Sequence, residues 1–299
     1  GGAMGNQKYE AFLKVAETGS FKEAARELGY TQAGISYLVN TLEREFGVPL
    51  LVREYGGAHP TSDGVAIMEQ VQDVCNAERR LEARLAERKH LEGGSVHVAT
   101  FTSTAIQWLP GIAKRFEDLH PAIKLDLTCI DDQNELEEMM WRGDADCGFA
   151  VFPVKRDLHM IPLVRDPLLV AVACDHPLAG EGSFPAEALE AEPYVRLESG
   201  VYSEMDELFR RNGVEPHVRF TIASDYAVMS LVSAGLGYSV LPGLILRDAP
   251  FPLVSMPPEV PTDREIAVCV RSMETASAAT RAFLEVTQEW VEKEYRERG

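Results

Sequence analysis

Between Phe12 and Leu51 apolar residues recur every three or four positions, and two capping signals divide the run into three helices. Ser20, with Glu23 three residues on, makes a capping box for the second helix, which turns Phe21, Ala24, Ala25 and Leu28 inward. Leu28-Gly29-Tyr30 supplies a short turn in which Gly29 takes a positive φ at no steric cost. Thr31 caps the third helix, whose buried face carries Ile35, Leu38, Val39 and Leu42 and whose other face carries Gln32, Ala33, Ser36, Tyr37 and Asn40. That outer face is polar and almost uncharged. A solvated helix carries Lys and Glu there, whereas Gln, Ser and Asn donate to and accept from base edges and phosphates. The segment therefore predicts a helix-turn-helix with its third helix in a DNA major groove; the bland alternative is a three-helix scaffold that binds protein.

The pattern then changes period. Residues 50–53 predict a short strand and Gly56-Gly57-Ala58-His59 the tip of a wing, with Arg53 its main cation. From Ser62 to about Leu91 one long helix is expected, in which Ile67, Val71, Val74, Glu78, Leu81 and Leu85 alternate four and three apart, the spacing of a coiled-coil seam. Such a stripe needs cover, from its own chain or from a second copy. Glu92-Gly93-Gly94-Ser95 ends the helix as a hinge. Beyond it strands are expected over 96–100, 123–130 and 147–151, and over 168–174, 194–197, 218–222, 238–241 and 266–271. They alternate with helices over 104–119, 133–141, 203–212, 226–234 and 276–294, the signature of an α/β sheet with crossover helices. Two lobes joined by crossovers near 164–168 and 261–265 follow from this order.

Composition sets outer bounds. The 299 residues suffice for two or three domains, with 45% hydrophobic and 25% charged residues as in a globular protein. No apolar run approaches the ~20 residues that cross a bilayer, and the start lacks a basic segment followed by an apolar core, so a cytoplasmic protein with no membrane partner is expected. Gly1-Gly2-Ala3 ahead of Met4 reads as a cloning remnant. The net charge of −18 is unevenly spread. Residues 1–92 hold 11 basic against 14 acidic side chains, a net −3, and residues 93–299 hold 18 against 33, a net −15. Acid on the C-terminal part keeps DNA off the wrong surface, and Lys8, Lys14, Lys22, Arg26, Arg44 and Arg53 are left to face phosphates. Cys75, Cys129, Cys147, Cys174 and Cys269 are far apart with no C-x-x-C pair, and no His pattern forms a metal site, so neither metal nor other cofactor is expected.

The N-terminal residues resemble the LysR-type transcriptional regulators. The likeness rests on Ala16-Glu17-Thr18-Gly19-Ser20-Phe21, Ala24-Ala25, Leu28, Thr31-Gln32, Ser36, Leu42-Glu43 and Phe46-Gly47-Val48-Pro49-Leu50-Leu51. It continues in Gly143-Asp144-Ala145-Asp146, Asp175-His176-Pro177-Leu178 and residues 231–238 running into Leu241-Pro242. Ala33-Gly34 departs from the commoner Pro-Ala, and Gly34 within a helix costs about 1 kcal/mol against Ala, which predicts a looser helix start. The resemblance implies a winged helix-turn-helix over 4–61, a linker (dimerisation) helix and hinge over 62–92, and an effector domain over 93–299. That domain would resemble periplasmic (type 2) solute-binding proteins, with lobe I over about 95–164 and 266–299 and lobe II over about 168–263. It also implies a homodimer or homotetramer joined through Ile67, Val71, Val74, Leu81 and Leu85, on double-stranded operator DNA, with RNA polymerase as a further partner. Thr31, Gln32, Ala33, Ser36, Tyr37, Asn40 and Arg53 would face that DNA.

Ligands of open α/β sheets bind outside the carboxyl ends of the strands, often at a helix N-terminus that favours an anion. Thr102, Ser103 and Thr104 follow the first strand of the effector part, and Ser199, Tyr202 and Ser224 follow strands of the second lobe. With aromatic walls that include Phe149, this set suggests a small organic or aromatic acid held by hydroxyls with no basic residue in that turn. Helix capping is the competing reading for these hydroxyls. Ser103 lacks a G-x-S-x-G setting, Asp131-Asp132 starts a helix rather than forming an acid pair, and no catalytic constellation emerges. The rival function is a small-molecule binding protein or enzyme on the same scaffold without a DNA role, which the N-terminal helix-turn-helix opposes.

Overall fold

Residues 6–54, 57–88, 94–198 and 204–298 are described in the computed structural model, which divides into two compact units at Leu91 and Glu92. In the first unit, α1 (Gln7–Thr18), α2 (Phe21–Leu28) and α3 (Gln32–Phe46) precede a two-stranded antiparallel wing, β1 (Leu51–Glu54) and β2 (Gly57–Pro60), and the long α4 (Ser62–Arg88). The caps are those the sequence predicts: Ser20 accepts from Glu23 N and Thr31 from Gly34 N, and Gly29 closes α2 at φ 72°. Helix α3 thus starts with a regular cap, and the looser start expected of Gly34 is not seen, because Thr31 Oγ1 satisfies the Gly34 N–H at 3.0 Å. Its far end is pinned as well: the Glu43 carboxylate accepts from Leu50 N at 2.7 Å and Leu51 N at 3.0 Å, which fixes where β1 begins. Phe12, Val15, Ala24, Ile35, Val39, Leu42 and Leu50 close the core. The wing docks on the α1–α2 turn, Ala58 N donating to Gly19 O, and a Cβ on Gly57 would lie 2.6 Å from that oxygen.

The seam expected along α4 is divided. Val71 is buried in the core of its own unit and Ile67 packs against it, so these two do not form a free stripe. Val74, Leu81 and Leu85 are exposed. The first turns of α4 lie on the helix-turn-helix, and packing there takes up part of the apolar face that the spacing leaves open to either cover and the family resemblance gives to a second copy.

The second unit begins with β3 (Gly94–Thr100), α5 (Thr102–Gln107), α6 (Leu109–Leu119), β4 (Ile123–Cys129), α7 (Gln133–Arg142), β5 (Cys147–Val151) and β6 (His159–Ala173). It continues with α8 (Ala186–Ala191), β7 (Pro193–Leu197), α9 (Glu204–Asn212), β8 (His217–Ile222), α10 (Asp225–Ser233), β9 (Ser239–Pro242), α11 (Gly243–Leu246), β10 (Leu253–Met256), β11 (Thr262–Val270) and α12 (Ala278–Arg298). The main sheet runs β10-β6-β11-β5-β3-β4, with β9 also on β6, and β7-β8 form a parallel pair. β6 and β11 run antiparallel through both lobes: β11 pairs with β5 in the first lobe, and the far end of β6 pairs with β9 and β10 in the second. The two crossovers expected near 164–168 and 261–265 are thus one hydrogen-bonded ribbon.

Both faces of the central strands β3, β5, β6, β9 and β11 and of β7 are covered, so alternate residues enter different cores, while β8 at the edge of its pair is exposed. Val96, Val98, Phe149 and Val268 join Trp108, Phe116 and Phe283 on one side of the first lobe, while Ala99, Ala150 and Ala267 meet Leu136 and Met140 on the other. In the second lobe Val170, Val172, Tyr194 and Tyr238 pack with Leu208 and Phe209, and Ala171, Val195 and Leu241 with Val228 and Val232. Two expectations change. The helix over 104–119 is broken at Trp108 into α5 and α6, with Pro110 in the first turn of α6, where its missing N–H is harmless. The strand expected over 168–174 begins earlier, at His159: Pro162 and Pro167 argue against a strand in the sequence, but Pro162, opposite Ala267, adjoins the register shift, where its missing donor is accommodated.

Candidate functional site

On the first unit, Thr31, Gln32, Ala33, Tyr37 and Asn40 are exposed and Ser36 is half-buried, all on the face of α3 turned away from Ile35, Val39 and Leu42. Arg53 reaches this face from β1. Its guanidinium lies 4.1 Å from the Phe21 ring centroid and its Nη2 is 3.4 Å from Ser36 Oγ, so wing and recognition helix present one surface. The other cations divide. Lys8 pairs with Glu45 at 2.6 Å, Lys14 with Glu17 and Glu27, and Arg26 with Glu23, so the expected basic face is largely neutralised within the chain. Lys22, Arg44 and Arg53 have no carboxylate partner among the described residues.

In the second unit a cavity of about 390 Å³ opens between the lobes. Part of its wall comes from residues just beyond the carboxyl ends of strands: Phe101 after β3, Ile130 and Asp131 after β4, Phe152 after β5, Glu198 after β7, Ala223 after β8. Ser103, Gln133, Leu197, Met205, Asp225 and Arg264 complete the parts used below.

The hydroxyls predicted to hold an acid are differently employed. Thr102 Oγ1 donates to Asp131 Oδ2 at 2.7 Å and Thr102 N to Oδ1 at 2.8 Å, which ties α5 to the end of β4. Thr104 is fully buried, donating to Phe101 O and bonded to Thr100 Oγ1, away from the cavity wall. Ser103 does line the cavity, but Arg264 Nη2 donates to its Oγ at 2.7 Å. The expectation of a site free of basic residues is thereby corrected: the cation comes from β11, 161 residues away, where no local signal marks it. Phe149 is core, packed edge-on against Trp108, and Ser224 caps α10 through Ala227 N. Ser199 and Tyr202 lie outside the described residues.

Arg264 is the pivot. Its register partner across the ribbon is Asp166, which accepts from Arg264 Nε at 2.9 Å and Nη2 at 2.8 Å and, through its other oxygen, from Leu244 N at the start of α11. Burial raises the Asp166 carboxyl, against the opposing pull of Arg264 and the Leu244 N–H. Asp225 is pushed up to about 6, first by burial and then by the charge of Asp131, with Arg264 pulling the other way. Sequence reasoning missed Arg264, Asp166, Asp131 and Asp225; only their positions just past predicted strands, or in a predicted crossover, offered a signal.

No described helix is long and apolar enough to cross a membrane. Residues 7–65 match the family described as bacterial regulatory helix-turn-helix protein, lysR family, and residues 89–292 the LysR substrate binding domain. The chain is 28% identical over 284 residues to the uncharacterized HTH-type transcriptional regulator YvbU of Bacillus subtilis (strain 168), covering 94% of this chain and 96% of that one. It is 29% identical over 236 residues to the HTH-type transcriptional activator CmpR of Synechocystis, covering 78% and 77%. Among solved structures, full-length CbnR complexed with its target DNA superposes with a TM-score of 0.71 at 23% identity, covering 96% of this chain and 99% of that one. The effector binding domain of QuiR in complex with shikimate superposes with a TM-score of 0.59 at 20% identity, covering 67% of this chain and 98% of that one.

Proposed function

The chain belongs to the LysR family of bacterial helix-turn-helix transcriptional regulators, and on that premise we propose that it reads operator DNA with the outer face of α3 and responds to a small molecule held in the cavity between its lobes. The observation that carries the DNA reading is the exposed, uncharged polar face of Gln32, Ser36, Tyr37 and Asn40, with Arg53 bonded to Ser36 beside it. Thr31 and Ala33 at the head of that helix complete the contact set. CbnR, a fold neighbour across nearly the whole chain, is known complexed with its target DNA, which supports the same use of this unit.

The functional division is residues 4–61 for DNA, 62–92 for the linker and 93–299 for the effector. The protein acts in the cytoplasm, where its operator and RNA polymerase are found. Two or four copies assemble through α4, with Val74, Leu81 and Leu85 supplying the exposed part of the contact and Ile67 and Val71 holding the helix to its own helix-turn-helix. An electrophoretic shift with DNA from upstream of the protein's own gene tests the reading. Retardation of that fragment in the presence of excess unrelated DNA is expected, and no retardation with or without cell extract as a source of effector would leave a small-molecule binding protein instead.

A further inference from the structure

The cavity wall carries five acids, Asp131, Glu137, Glu198, Glu204 and Asp225, against two cations, Lys155 and Arg264. Glu137 is spent on structure, accepting from Lys155 N, Arg156 N and Gln133 Nε2. Arg264 is matched by Asp166 from outside the wall. What remains is a strongly negative space, and a simple organic acid entering it meets repulsion that two Thr and Ser hydroxyls, already bonded to Asp131 and Arg264, do not offset. A second feature marks the place for a ligand. Arg264 is more than nine-tenths buried and lines the cavity, yet its Nη1 has no hydrogen-bond partner among the described residues. That N–H is not sealed from solvent, and a ligand in the cavity can offer it an acceptor.

Resting on the reading of this cavity as the effector site, we propose that the effector is a small zwitterionic or amine-bearing molecule. Its protonated nitrogen is held between Asp131 of the first lobe and Asp225 of the second, an acceptor on it takes the free Arg264 N–H, and its apolar body lies against Phe101, Phe152 and Leu197. Asp131 follows β4 and Asp225 begins α10, so the two carboxylates belong to different lobes, and a cation between them replaces repulsion by attraction across the cleft. Binding energy is thereby coupled to lobe closure, the kind of differential contact a ligand-driven switch requires.

The test is calorimetric titration of the full chain with L-phenylalanine and with 3-phenylpropanoate, which differ only by the ammonium group. Wild type is expected to bind phenylalanine at least about tenfold more tightly, the size of one charge-assisted hydrogen bond. Asp225→Asn should bring the two ligands to similar affinity, and Leu197→Trp, which obstructs the apolar wall of the cavity, should weaken both. Equal or tighter binding of 3-phenylpropanoate that Leu197→Trp weakens would overturn the cation while keeping the cleft as an effector site. A preference for phenylalanine that survives both Asp225→Asn and Asp131→Asn would place the cation elsewhere, and binding unaffected by Leu197→Trp would remove the cleft reading as well. Failure of wild type to bind either ligand at millimolar concentration would overturn the proposal of an amine-bearing effector whose apolar body lies on this wall.

Discussion

Asp225 and Arg264 show how single side chains at this cleft trade stability for poise. The Asp225 carboxyl, raised to about 6 from its ordinary 3.8, keeps its proton in the native state at pH values where the unfolded chain has lost it. Its stabilising contribution is therefore present in full below about pH 4 and lost as pH rises through 6, because the ionised form then sits desolvated near Asp131, with Glu198 and Glu204 on the same wall and Arg264 as partial compensation. Asp225→Asn should raise the melting temperature at pH 8 and leave it nearly unchanged at pH 4; an equal gain at both would assign the effect to helix α10 rather than to the charge. Arg264 poses the converse case. It is 8% exposed and Asp166 4%, so removing one member strands a buried charge. Arg264→Met should cost about 3–5 kcal/mol in urea unfolding, and the double variant Arg264→Met/Asp166→Leu should recover most of it. If the double variant were as unstable as the single, the packing of the arginine stem rather than the ion pair would be what matters.

Among the elements, the recognition helix and the linker differ in how far a sequence reaches. For α3 the apolar stripe faces the core and the polar face points outward as its periodicity and its Thr31 cap say, because the cap is local and the stripe is covered by the unit's own core. Gln32→Ala and Ser36→Ala should each weaken specific operator binding by about 1–3 kcal/mol if those side chains meet base edges. Unchanged affinity in fluorescence anisotropy for both variants would turn this face away from the DNA. For α4 the heptad spacing correctly marked an apolar stripe but not its owner, since Ile67 and Val71 are taken by the unit's own core. The assembly contact should then lie toward the far end of the helix. Val74→Glu with Leu81→Glu is expected to halve the sedimenting mass, whereas Val71→Glu should unfold the helix-turn-helix instead. The same boundary separates the legible from the illegible in the effector unit. Runs such as Cys147–Val151 declare themselves as strands because both faces are buried. The pairing of Ser103 with Arg264 leaves no local trace, since Thr262-Asp263-Arg264-Glu265 reads as a polar turn until the antiparallel ribbon places its arginine against Asp166.

The whole molecule carries its charge against its function: a DNA-binding protein of net −18, with −15 of it in residues 93–299. Three of the cations on the helix-turn-helix are tied to carboxylates on the same unit, Lys8 to Glu45, Lys14 to Glu17 and Glu27, and Arg26 to Glu23. Lys22, Arg44 and Arg53 are the ones left to neutralise phosphates. Counterion release scales with phosphates neutralised, by about 0.9 log unit of affinity per log unit of salt for each, so three cations on each of two copies give a slope near −5. Affinity for random DNA should accordingly be weak at physiological salt, and discrimination should come from the neutral face of α3 and from the geometry of two linked copies. Measuring operator affinity by anisotropy between low and moderate salt decides the point. A slope near −5, reduced by about two when Lys22→Ala removes one cation from each copy, is the expected result. A much steeper slope would mean that Lys8, Lys14 and Arg26 leave their carboxylates for the DNA, and the acidic partners would then act as a brake on binding rather than as permanent neutralisers.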